Sequence, residues 1–233
     1  MSESNRWRLV RSPAGRGAWN MAVDEAMLEH IYRGESLPTL RLYAWEPPCL
    51  SLGHAQPFAD VDPDRLQARG WDLVRRPTGG RAILHTDELT YSVSAAPDEP
   101  LVRGTVLESY NRISRALSCA VQELGLTVEI EEHTAAAAHP SQNPVCFEVP
   151  SSYEITVGGK KLIGSAQARK KEGVLQHGSL PLTGDLRRIT EVLRFANEPE
   201  REAAAERLLR RATTVETVLG RSLSWETATG AFV

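Results

Sequence analysis

Between Ala18 and Arg33 the apolar residues Met21, Ala22, Met27, Leu28 and Ile31 fall mostly at helical intervals. That spacing predicts a helix, and Gly34 supplies its stop. Short apolar runs follow at Leu40-Arg41-Leu42-Tyr43 and Cys49-Leu50-Ser51-Leu52, joined through Glu46-Pro47-Pro48. Proline cannot continue a hydrogen-bonded ladder, so these read as two strands with a break between them. Trp71 to Arg75, Arg81 to His85 and Leu89 to Ser94 read as three more strands. The turn formers Pro77-Thr78-Gly79-Gly80 and Thr86-Asp87-Glu88 separate them, which predicts neighbouring strands and the first half of a mixed sheet.

Thr105 and Glu108 have the spacing of a capping box, and Val106, Tyr110, Ile113, Leu117, Val121 and Leu124 continue at three- and four-residue steps to Gly125. This predicts a long amphipathic helix. From Glu131 to Pro150 the chain turns to alanine, histidine, proline, serine and asparagine, a composition that predicts an irregular loop, with Cys146 near its end. Tyr153 to Val157 and Lys161 to Ala168 flank Gly158-Gly159 as a predicted hairpin, and Val174 to Leu180 follows as a third strand. The remainder is helical in character. Leu186, Ile189, Val192 and Leu193 form one stripe, Ala204, Leu208 and Leu209 a second, and Val215 to Leu219 a short third segment. No repeat or linker interrupts the pattern. The elements predict an α+β chain, a mixed sheet with packed helices, in one domain over residues 1–233.

Composition narrows the function. With 233 residues and 41% hydrophobic positions the chain can bury a substantial core. Its net charge of -3 gives no broad basic surface for a nucleic-acid backbone. The three cysteines, Cys49, Cys119 and Cys146, are far apart and lack CxxC spacing, which argues against a disulfide framework or a cysteine zinc site and favours a reducing compartment. Neither a secretory leader nor a run long enough for a membrane span is evident, so a cytoplasmic protein is expected.

Several residues could carry chemistry. Arg75-Arg76-Pro77-Thr78-Gly79-Gly80-Arg81-Ala82 sets two glycines among cations, where backbone N–H groups can meet a carbonyl or phosphate. It matches no phosphate-loop pattern, and the plainer reading is a tight hairpin turn. Cys49 begins a strand and Cys119 lies beside the apolar stripe of the long helix, so both are expected to be packed hydrophobes. Cys146, at a loop-to-strand junction, is the candidate nucleophile, with Lys160, Lys161 or His177 as the cation that would favour its thiolate. Period-2 alternation turns Lys160 and Lys161 to opposite sides of their strand. His85 and His177 have no HxxxH or HExxH partner, which leaves structural or substrate-orienting roles and no metal site. The clusters Arg169-Lys170-Lys171, Arg187-Arg188 and Arg207, Arg210 and Arg211 fit either an acidic partner or ordinary solvated faces.

Five blocks occur in order: RRPTGGRAILH (75–85), ELTYSV (88–93), CFEVPSSYEI (146–155), GKKLIGSAQAR (159–169) and LQHGSL (175–180). Together with Asn20 to Glu25 they resemble the biotin and lipoate protein ligase superfamily, most closely its cysteine-dependent octanoyltransferases, over roughly residues 18–220. The resemblance implies that superfamily's catalytic-domain fold. It selects Cys146 as the acyl-thioester residue and Lys161, fifteen positions on, as its partner. It implies an acyl tunnel between the Gly-Gly turn and the Lys161 strand, with Arg76, Gly79, Gly80, Arg81, His85, Gly164, Ser165, Ala166, His177 and Gly178 as substrate-binding residues.

The implied donor is octanoyl-acyl carrier protein. The implied acceptor is a lysine of a lipoyl-carrier domain, such as glycine cleavage H protein or a 2-oxoacid dehydrogenase E2. Since a thioester is already activated, no cofactor or metal is expected. A monomer is expected, with no nucleic-acid or membrane partner. The alternatives are an ATP-dependent lipoate ligase, an amidotransferase moving octanoyl between carrier proteins, and a non-catalytic carrier-binding scaffold. Arg81 stands where the ATP-dependent ligases carry a third glycine, and the chain has little after the core for an accessory domain. Both features favour the transferase.

Overall fold

The computed structural model describes residues 6–132 and 153–233, and there the strands form two sheets, one of seven and one of three. The first element is β1 (Arg8–Arg11), followed by α1 (Gly17–Tyr32), β2 (Thr39–Tyr43) and β3 (Cys49–Leu52). Next come α2 (Pro63–Ala68), β4 (Asp72–Arg75), β5 (Ile83–His85), β6 (Glu88–Ala95) and α3 (Val106–Glu123). After β7 (Glu129–Glu132) the described chain resumes with β8 (Tyr153–Val157), β9 (Lys160–Lys170) and β10 (Gly173–Pro181). A 3-10 turn at Leu186–Glu191 leads to α4 (Glu198–Arg211), α5 (Val215–Leu219) and α6 (Trp225–Ala231).

The large sheet has the order β1-β2-β6-β10-β9-β8-β7, and the small one β4-β3-β5. This corrects the expectation of one run of neighbouring strands. β4 pairs parallel with one edge of β3 and β5 antiparallel with the other, so Pro77 to Gly80 crosses over β3 rather than closing a hairpin. β6 belongs to the other sheet, where it lies between β2 and β10. Strand propensity and turn residues mark where strands begin and end but do not encode their partners. The β8–β9 hairpin and the β9–β10 pair stand as expected.

α1 buries Gly17, Asn20, Met21, Asp24, Met27, Leu28 and Ile31, one continuous stripe at helical spacing that carries two polar residues. It packs against β6 and β10 of the large sheet and β3 and β4 of the small one, and so joins the two. α3 has the capping box, with Thr105 accepting from the Glu108 N–H and Glu108 reaching back to the Thr105 N–H. It covers the opposite side of the large sheet over a core that includes Tyr91, Ile113, Leu117, Val121 and Leu162. Ala228 and Phe232 also pack into that core, and Trp7 lies against it, so the packing extends past both ends of the expected 18–220 core. Short α6, capped by Ser224 and bearing few large apolar residues, gave too weak a periodicity to be seen. A second core, around Leu50, Ala82, Leu193 and Leu208, fills the space between the small sheet and α4.

The expected irregular loop at 131–150 begins as the last two residues of β7, and Cys146 lies outside the described residues.

Candidate active site

The two sheets face each other across a narrow cleft, whose lining includes Trp45, Ser51, Arg76, His85, Ser165 and His177. Each sheet sends one histidine across it.

His177, on β10, lies opposite Ser92 on one side and Ala166 on the other. Its Nε2 stands 2.6 Å from Thr78 Oγ1, in the turn after β4. Its Nδ1 stands 3.6 Å from Asp24 Oδ2 on α1, longer than a hydrogen bond. Asp24 is completely buried and accepts from Arg41 Nη1 at 2.8 Å, Tyr43 Oη at 2.9 Å and Ser92 Oγ at 2.8 Å. Burial pushes the Asp24 carboxyl up, but His177 and Arg41 together outweigh it and hold the group below the usual carboxylate range. Burial pushes the His177 imidazole down, and Arg76 and His85 reinforce this against the pull of Asp24. His177 is therefore neutral near pH 7. An ionised Asp24 can only accept, so the single ring proton belongs on Nδ1, and Nε2 receives the Thr78 hydroxyl proton.

His85, at the end of β5, makes the reciprocal crossing. Its Nδ1 is 2.6 Å from Glu88 Oε1 on β6, and its Nε2 is 2.7 Å from Ser51 Oγ on β3. Glu88 Oε1 also accepts from Thr90 at 2.5 Å and Ser179 at 2.8 Å. Trp45 donates to Thr90 Oγ1 at 2.7 Å and stacks on His85 with centroids 4.0 Å apart. Arg76 donates to Ser51 Oγ at 3.0 Å. Since Arg76 and Trp45 are donors only, the hydroxyl protons of Ser51 and Thr90 are directed to His85 and Glu88. Two carboxylate–imidazole–hydroxyl chains thus bridge the sheets.

Arg76 is buried and also shapes the turn, donating to the carbonyls of Gly79 at 2.9 Å and Arg81 at 2.7 Å. Arg75 caps the carbonyls of Gly53, His54 and Gln56. Gly53 has to be glycine, because a Cβ there would lie 1.9 Å from the Gly80 carbonyl oxygen. Gly79 and Gly80 are exposed, Arg81 half-buried.

On β9 and β10, Gly164, Ser165, Ala166 and Gly178 line the cleft beside His177. Gly178 lies between Tyr91 and Ser165 in the ladder, and its missing Cβ leaves room for a 2.7 Å hydrogen bond between the Tyr91 hydroxyl and Ser165 Oγ. Gln176 Nε2 donates to that same tyrosine oxygen at 3.1 Å. Burial pushes the Tyr91 hydroxyl up to about 12 against these hydrogen bonds, so it stays a donor.

The two lysines have different surroundings. Lys161 is 3% exposed, and its carbonyl accepts from the Thr213 N–H after α4. Lys160 sends Nζ to the Leu209 carbonyl of α4 at 2.8 Å. Cys49 is packed as expected, with burial first, then Asp72 and Glu88, pushing its thiol far up. Cys119 is a correction: it is exposed, because it falls between the inward positions Leu117 and Ala120. Arg169 reaches the carbonyls of Val102, Gly104 and Thr105, Arg187 pairs with Asp185, and Arg188 pairs with Asp87. Among the described residues no His, Cys, Asp and Glu cluster has metal-ligand geometry, and no helix is long and apolar enough to cross a membrane.

The structure brings Arg76, His85, Gly164, Ser165, Ala166, His177 and Gly178 to one cleft. Sequence reasoning missed Asp24, Arg41, Ser51, Thr78, Glu88 and Ser179 as partners in it. A signal existed for Asp24, since Asn20 and Asp24 interrupt the apolar stripe of α1 on its buried face.

A mixed sheet with α1 wedged against a second small sheet, and a glycine turn joined through Thr78 to β10, frame this cleft. The chain belongs to the lipoyl protein ligase A/B catalytic domain family, which matches residues 16–233. Its similarity runs to octanoyltransferases within that family. The octanoyltransferase LipM of Moorella thermoacetica is 46% identical over 224 residues, covering 92% of this chain and 79% of its own. That of Clostridioides difficile is 36% identical over 220 residues, covering 94% and 81%. The fold is shared with the bipartite lipoate protein ligase of Thermoplasma acidophilum, a structure that also concerns its E2 lipoyl domain. The TM-score is 0.73 at 23% identity, over 98% of this chain and 80% of that one. A lipoate-protein ligase A bound with ATP aligns with a TM-score of 0.70 at 24% identity, over 98% and 82%.

Proposed function

We propose that this chain transfers an octanoyl group from octanoyl-acyl carrier protein to a lysine of a lipoyl-carrier domain, through a thioester on Cys146. Octanoyl transfer in protein lipoylation rests on the octanoyltransferase relatives, which are 36–46% identical to this chain over 92–97% of its length. The thioester route rests on the sequence register and on one observation: Lys161 is buried while Lys160 is committed to α4.

The chemistry divides into two acyl exchanges. The Cys146 thiolate adds to the donor carbonyl and expels the carrier thiol. The neutral acceptor amine then adds to the enzyme thioester and expels Cys146, leaving an amide. Both steps exchange an activated acyl group, so no nucleotide is consumed. A cation near Cys146 lowers its thiol pKa, and Lys161 takes that role. Arg76, Gly79, Gly80, Arg81, His85, Gly164, Ser165, Ala166, His177 and Gly178 line and shape the acyl site. An eight-carbon chain buries methylenes worth about 0.8 kcal/mol each, so the site selects length to within about two carbons.

The test is transfer without nucleotide. Purified protein, octanoyl-acyl carrier protein and a lipoyl domain are mixed, and the lipoyl domain's mass is followed. A one-octanoyl gain supports the reading. A gain only with free octanoate or lipoate plus ATP moves the chain to ligase chemistry.

A further inference from the structure

We infer that Asp24 and His177 form a positioning relay that, through the Thr78 hydroxyl, fixes the Gly79–Gly80 turn so that its N–H groups receive the charge building on the acyl carbonyl oxygen. The inference rests on the acyl-transfer reading above and assigns roles to Asp24 and Thr78 within it.

The turn is held by its carbonyl side. The Thr78 oxygen accepts from the His54 N–H at 2.8 Å, the Gly79 oxygen accepts from Arg76, and the Gly80 oxygen is seated against Gly53. In a trans peptide the N–H points opposite to the C=O of the same plane. The N–H groups of Gly79 and Gly80, in the planes of the Thr78 and Gly79 carbonyls, therefore point away from the small sheet. Among the described residues neither has a hydrogen-bond partner. Two adjacent exposed N–H groups at a glycine turn form an anion-receiving concavity.

These contacts fix the turn to its own sheet. What sets it against the large sheet, which carries Lys161, is the Thr78 hydroxyl on His177 at 2.6 Å. His177 is held by β10 pairing on both sides and faces Asp24, which Arg41, Tyr43 and Ser92 immobilise. The relay carries no net proton. When the Cys146 thiolate forms its C–S bond to the donor carbonyl, the π pair moves onto oxygen and is received by the two N–H groups. It returns as the donor C–S bond breaks, and the departing thiolate takes the proton that Cys146 gave up.

The experiment compares the parent with Thr78→Val, Thr78→Ser and His177→Asn, measuring Cys146 octanoylation from octanoyl-acyl carrier protein in single turnover, the donor KM and thermal unfolding. Thr78→Val keeps the shape and loses the hydroxyl. It is expected to slow acylation at saturating donor about 100-fold, with the KM changed by less than about threefold. Thr78→Ser is expected to recover the parent rate, and His177→Asn to fall with Thr78→Val. A folded Thr78→Val that acylates at the parent rate overturns the inference, as does a loss that appears in KM alone. If Thr78→Val and His177→Asn both failed to fold, the pair would be a structural element and the inference would again be wrong. A parent that forms no acyl-enzyme removes the acyl-transfer reading itself, which separates the two failures.

Discussion

Thr78 and His177 lie 99 residues apart in sequence and 2.6 Å apart across the cleft, one on each wall. His85 and Glu88 make the second crossing at 2.6 Å, with Ser51 holding the other ring nitrogen from the small sheet. Both imidazoles hold a hydroxyl on one nitrogen and face a buried carboxylate with the other, at 2.6 Å for His85 and 3.6 Å for His177, so the width of the cleft is set by side-chain chemistry as well as by apolar packing. Replacing either bridge with an unmatched group leaves a buried polar atom unpaired, at a cost of about 1–3 kcal/mol.

Acid stability reports on the first of these chains. The folded His177 pKa is lowered, so the unfolded chain takes up that proton first, and stability falls as pH drops through the ordinary histidine value of 6.5. The folded Asp24 pKa is also lowered, so its contribution is present above the unfolded value of 3.8 and lost as pH falls through the folded one. Unfolding midpoints in denaturant between pH 7 and pH 3 are expected to decline in two stages. His177→Gln is expected to flatten the first stage and, because His177 helps hold the Asp24 carboxyl down, to move the second to higher pH. A parent-like decline in that variant would remove His177 as the source.

Asp24→Asn breaks a fully buried pair with Arg41, whose side chain is 1% exposed. Leaving that guanidinium uncompensated is expected to cost about 3–5 kcal/mol. Equilibrium unfolding in urea at pH 7 measures it, and a loss below about 1 kcal/mol would contradict the structure.

Gly53→Ala and Gly79→Ala are expected to differ in stability. A Cβ at residue 53 meets a carbonyl oxygen at 1.9 Å, whereas one at residue 79 meets nothing within 4 Å. The first displaces backbone and is expected to destabilise by about 1–3 kcal/mol, the second to stay within about 0.5 kcal/mol. Thermal unfolding of the two variants side by side decides this.

Lys161→Ala is expected to move the pH dependence of Cys146 alkylation upward, and Lys160→Ala to leave it in place. Removing a cation destabilises the thiolate, and a close cation shifts a thiol by about one to three pKa units. The measurement is alkylation rate against pH with Cys49 and Cys119 replaced by Ala. Three superimposable profiles would take Lys161 out of thiol activation.

What sequence made legible was local. The capping box of α3 and the hairpin about Gly158-Gly159 depend on residues a few positions apart, and both stand in the structure. The division into two sheets was not legible, because β4 and β5 both pair with β3 rather than with each other. Nor were the imidazole chains, since each joins residues from separate elements through side chains that look ordinary in a strand or turn. Ser51 and Ser179 alternate like any strand polar residue, yet both are fully buried. The polar pair Asn20 and Asp24 on the inward face of α1 was the readable trace of the buried network. Cys119 shows the converse, since a cysteine near an apolar stripe is inside only if its own helical angle takes it there.

A covalent octanoyl-enzyme at Cys146 is tested by the intact mass of the protein after incubation with octanoyl-acyl carrier protein alone. The parent is expected to gain one octanoyl group that hydroxylamine removes, and Cys146→Ala to gain none. Cys49→Ala and Cys119→Ala are expected to gain the group like the parent. A Cys146→Ala protein that still transfers octanoyl at the parent rate without nucleotide would rule out the thioester at Cys146.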